Sequence, residues 1–153
     1  MGGAVIQCGD FEGEDKSGSP IGAVLDQAYA LAFGHAPRGK IAAALSRLVG
    51  CSTQGAEALV ERELLNVKYS EEGEISPEVV ELLLPHLRDY QQSLLRDLKI
   101  ENDVEKICEH LGSDTAAKYG TKPDPGWHLY CLHDLVKACE KSSKERIPVQ
   151  VVW

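Results

Sequence analysis

The chain has 153 residues, 43% of them apolar and 26% charged, and a formal net charge of −8. That length suits one domain, and the apolar share excludes wholesale disorder. The acidic balance excludes general affinity for phosphate backbones unless basic residues gather in one place, and no run approaches the ~18 apolar residues of a membrane span.

Aromatic residues make up only 6%, so the core is expected from Leu, Val, Ile and Ala, a composition that favours helices packed on helices. Residues 1–19 carry five glycines and four acids against Lys16. They read as a flexible acidic leader with at most a short extended piece at 4–8. A first helix is then well punctuated. Ser19 is a candidate N-cap, Pro20 fits the first helical position, and Gly34 can close the end in a left-handed conformation. Ile21, Val24, Leu25, Ala28, Leu31 and Ala32 recur between them at helical spacing, widened by Tyr29 and Phe33, so this helix is expected to be central and buried.

A second helix is predicted over 37–49 and a third from Ser52 or Thr53 to Leu65. Residues 67–75 alternate weakly around Glu72-Gly73 and read as a loop or a small two-stranded β-ribbon. Ser76-Pro77-Glu78 is the clearest start signal: an N-cap, a rigid first position and an acid at the positive helix end. The stripe that follows runs from Val80 to Leu98, and its phase survives Pro85, so a kinked helix is favoured over two helices. Further helices are predicted over 102–111, 114–119 and from about Pro125 to Lys144, and residues 147–153 read as extended. The expected fold class is therefore all-α: a bundle of six to eight helices in one domain over 20–146, with leader 1–19 and an extended tail 147–153.

Pro125-Gly126-Trp127 followed by Leu132 and Leu135 resembles the start of the fifth helix of caspase-recruitment domains. The resemblance implies a six-helix death-fold module that assembles signalling complexes, in the C-terminal half of the chain.

Chemical motifs are sparse. His128, Cys131 and His133, with Cys108 and His110, come nearest to a zinc set. On a helix His128 and Cys131 share a face, but His133 lies about 140° away, and no Cys-x-x-Cys or His-x-x-x-His pair is present. Buried thiols beside boundary histidines account for the same residues. Nucleophile elbows, phosphate-cradling glycine loops and HExxH are absent. The chain is therefore expected to be non-enzymatic, with no catalytic, cofactor-binding or metal-binding residues and no cofactor. The helices at 38–49 and 53–65 allow a helix-turn-helix reading with Arg38, Lys40 and Arg47. The second helix, however, presents Glu57, Glu61 and Glu63 against Arg62, which repels a nucleic acid backbone.

Five cysteines at wide spacings, with no basic start or apolar run of a signal peptide before them, point to free thiols in the cytoplasm or nucleus. Between Glu57 and Glu81 eight glutamates face only Arg62 and Lys68. Glu57, Glu61, Glu63, Glu71, Glu72 and Glu74 form the candidate surface for a basic partner protein. The expected function is an adaptor or regulatory module that presents a helical surface to another protein. A nucleic-acid-associated regulator is the alternative. The segment Val149–Trp153 either packs on its own domain or pairs with a sheet edge of a partner or a second copy.

Overall fold

Alternation of side chains starts at the third residue. In the computed structural model, which describes residues 3–13, 16–35, 55–97 and 125–153, Gly3–Cys8 form strand β1, with Ala4, Ile6 and Cys8 buried and Val5 and Gln7 on the other face. Gly9-Asp10 turns the chain into β2 (Phe11–Glu12), pairing Cys8 with Phe11 and Gln7 with Glu12. Gly9 has φ 59°, the positive angle that the first central residue of a II′ hairpin requires. β3 (Lys16–Ser17) continues alongside β1, pairing Ala4 with Lys16.

Helix α1 spans Gly18–Phe33, and Gly34 follows with φ 80°, as a left-handed helix end requires. Ile21, Val24, Leu25, Ala28 and Tyr29 are buried, while Leu31 is exposed, so one side of the helix faces solvent. Helix α2 spans Ala56–Tyr69 and buries Val60, Glu61, Leu64 and Val67. After a short turn comes β4 (Glu72–Ile75), then α3 (Pro77–Asp97), a single helix through Pro85 that buries Val79, Val80, Leu83, Leu84, Leu87, Leu94 and Leu95. Ser76 caps it: its Oγ accepts from Val79 N at 3.4 Å, as the N-cap role predicts. Helix α4 (Pro125–Glu145) ends at Arg146, a non-glycine residue with φ 57°, and the chain closes in β5 (Val149–Val152).

The strands form one antiparallel sheet in the order β2-β1-β5-β4, with β3 also paired to β1. The last strand is thus interior. Val149 and Val151 join Ala4, Ile6, Cys8 and Ile75 on the buried face. α4 lies against β1 and β5, α2 against β4, and α1 and α3 pack on α4. Helices on one face of an antiparallel sheet make an α+β architecture.

This overturns the all-α bundle of six to eight helices. The leader supplies three strands, and the expected ribbon at 67–75 resolves differently. α2 continues to Tyr69, and Glu72–Ile75 is one strand that pairs with β5, far away in sequence. A sheet also departs from the six-helix module implied by the caspase-recruitment likeness, although a helix does begin at Pro125. The helices expected over 37–49, 102–111 and 114–119 lie outside the described residues, as does the first half of the helix-turn-helix reading.

Candidate functional site

The six glutamates singled out by sequence do not share one surface. On α2, Glu57 and Glu61 turn toward α1. The Tyr29 hydroxyl, fully buried, lies 2.9 Å from Glu57 Oε1 and 3.4 Å from Glu61 Oε2. Glu57 Oε1 also meets His35 Nε2 at 2.6 Å. Burial raises the Tyr29 pKa above its ordinary value, and the two carboxylates add to that. The phenol is thus a fixed hydrogen-bond donor that ties α1 to α2. Glu63 has another structural task, accepting from Ser76 N at 3.0 Å and Ser76 Oγ at 3.1 Å. Glu71 sits in the turn before β4, its carbonyl accepting from Trp153 N at 2.9 Å. Only Glu72 and Glu74 reach the face of the sheet that points away from the helices, because they alternate with buried Gly73 and Ile75.

That outward face has an order that register imposes. Directly paired residues share a face, so Glu12, Gln7, Gln150 and Glu74 form one row across β2, β1, β5 and β4. At ~4.8 Å per strand the row is about 14 Å long. Gln7 Nε2 donates to Glu12 Oε2 at 3.3 Å and Gln150 Nε2 donates to Glu74 Oε1 at 3.1 Å. A second row places Val5, Val152 and Glu72 beside it. Gln7, Glu72, Glu74, Gln150 and Val152, with Asn66 of α2, line a groove of about 500 Å³. Among the described side chains of this face none is basic, and all are exposed or half-buried.

The sulfur and imidazole groups sit elsewhere. Cys8, Cys131 and Cys139 are buried, and none is in a disulfide. Burial pushes the Cys139 thiol up to about 12 and raises Cys8 as well, the opposite of what a nucleophile needs. His128 Nδ1 lies 2.6 Å from the Tyr90 hydroxyl, joining α4 to α3. Among the described residues no group of three or more His, Cys, Asp or Glu is arranged to hold a metal ion; Cys108 and His110 lie outside them. No described helix is long and apolar enough to cross a membrane.

Sequence reasoning missed Gln7, Glu12 and Gln150. The available signal was the alternation of Ala4, Ile6 and Cys8 with a Gly-Asp pair after it, a two-residue hairpin pattern. No family model, curated protein or solved structure matches the chain.

Proposed function

We propose that the chain is a non-enzymatic protein-binding module and that its recognition surface is the outward face of the sheet. One observation carries this reading: a four-strand face rich in acceptors, with Glu12, Glu72 and Glu74 at its margins, is covered by no described helix. The apolar stripes of the helices are used against the sheet and each other, which moves the proposed surface from the helices to the strands. Carboxylates around an amide row favour a partner with a basic surface and disfavour nucleic acid. The buried thiols of Cys8 and Cys139, neither in a disulfide, support a reducing compartment, cytoplasm or nucleus.

The reading is tested by placing a photo-crosslinking residue at position 150 of the intact chain, and separately at position 137 on the exposed side of α4. Adducts with one polypeptide are expected from position 150 alone. Binding of that polypeptide, once purified, should weaken in Glu72→Lys and as salt rises. Equal adducts from both positions, or none from position 150, would overturn the proposal. An adduct with a second copy of the chain would also overturn it, replacing the basic partner with self-association.

A further inference from the structure

Resting on that reading, we infer that the partner adds an extended segment as a strand along the free edge of β4, with basic side chains opposite Glu72 and Glu74. In an antiparallel ladder the N–H and C=O of successive residues point alternately to one neighbour and to the other. Trp153 N donates to Glu71 O, and the register sets Gly73 opposite Val151 and Ile75 opposite Val149. Glu71, Gly73 and Ile75 therefore turn their backbone groups toward β5, and Glu72 and Glu74 turn theirs away from it. The rest of the sheet has the same phase. Gly13 N donates to Ile6 O, which leaves Val5 and Gln7 to bond Val152 and Gln150, and Val149 and Val151 to face β4. β4 is the last strand in the sheet order, so among the described residues no strand takes the two N–H and two C=O groups of Glu72 and Glu74.

Helix α2 meets β4 from beneath: the Cβ that Gly73 lacks would point to the buried face and meet Val67 there. Glu63 of α2 takes the next outward N–H, that of Ser76, at 3.0 Å, so the open stretch runs from Glu72 to Glu74, both exposed. An unpaired edge of this kind binds extended chains through main-chain hydrogen bonds, and side chains select the sequence. Residues directly opposite in an antiparallel pair share a face. The partner residues that bond Glu72 and Glu74 therefore set their side chains beside the two carboxylates. Charge complementarity makes these Lys or Arg at alternate positions, with a small residue between them on the side of α2. β4 of a second copy would set glutamate against glutamate, which is unfavourable. The opposite edge is split into two strands of two residues each and carries Lys16, which discourages a basic segment.

The experiment uses a capped heptapeptide with lysine at alternate positions and alanine between them, titrated into the isotope-labelled full chain and followed residue by residue by NMR. Two further versions are N-methylated, one on the lysine backbone nitrogens and one on the alanine backbone nitrogens, with charge unchanged. The plain peptide is expected to slow amide exchange at Glu72 and Glu74. The lysine N–H groups are the ones that face β4, so methylating them should weaken binding about tenfold, while methylating the alanines leaves it nearly unchanged. Equal affinity of the two methylated peptides, with shifts at Gln7 and Gln150, would overturn strand addition and leave the protein-binding face standing. Perturbation of neither β4 nor Gln7 and Gln150 by any of the peptides would overturn both. Protection of the Glu72 and Glu74 amides in the free chain that grows with its concentration would place a second copy on this edge and overturn the basic segment as its occupant.

Discussion

Gly73 shows how a single absent side chain sets the packing of the molecule. A Cβ at this position would lie 2.9 Å from Val67 Cγ2 and against the Val67 backbone, so β4 approaches α2 as closely as it does only because position 73 has no side chain. Backbone φ is not the constraint here. Gly73→Ala is expected to lower stability by about 2 kcal/mol through forced separation of helix and strand, read as a lower urea midpoint. An unchanged midpoint would mean that helix and strand can part without penalty. Gly13 has a similar role, leaving room for the buried carboxyl group of Asp134. Little of this was visible beforehand: a glycine in Glu72-Gly73-Glu74 reads as a turn signal, and only the nearness of Val67 shows it to be a packing position.

At the scale of elements, the ends of the helices are where distant segments meet. Trp153 Nε1 donates to Val67 O at 2.8 Å, one of the last carbonyls of α2, which has no partner within the helix. Trp153 N reaches the carbonyl of Glu71, so the residue after β5 holds both the end of α2 and the start of β4. Trp153→Phe keeps most of the apolar contact and removes the indole donor. The expected loss is about 1 kcal/mol, with faster amide exchange in β4; unchanged exchange there would assign the tryptophan to apolar packing alone. The helices themselves were legible. Ser76-Pro77-Glu78 caps α3 as read, and the leucine stripe carries the helix through Pro85. Extended pieces were read at 4–8 and 147–153, where β1 and β5 lie, but their pairing was not legible, because both are short and the partners lie more than a hundred residues apart. Of the candidate site, Glu72 and Glu74 were named in advance. Glu57, Glu61 and Glu63 were named for their charge but are held by Tyr29, His35 and Ser76.

For the whole molecule, one closed core couples sheet and helices, and its buried thiols and phenol give it a predictable response to alkali. Burial pushes Cys139 up to about 12 from an ordinary 9.0, and Tyr29 is raised above 10.0 chiefly by burial. Both are neutral in the folded chain at pH values where the unfolded chain ionises. Their contribution is therefore complete below the ordinary values and is lost as pH rises through them, on the order of 1 kcal/mol per pH unit for each group. Urea midpoints are expected to hold to about pH 9 and fall above it. Cys139→Ala should flatten that fall at a cost of about 1 kcal/mol at neutral pH; an identical slope in the variant would show that the thiol has no part in it. Composition and periodicity by themselves determined that the chain folds, where helices α3 and α4 begin, and that its surface is acidic, because these depend on neighbours within a few turns. Tertiary structure alone decided that the two ends of the chain pair within one sheet and that Gln7 and Gln150 stand side by side, because strand pairing is a long-range choice that local spacing does not encode.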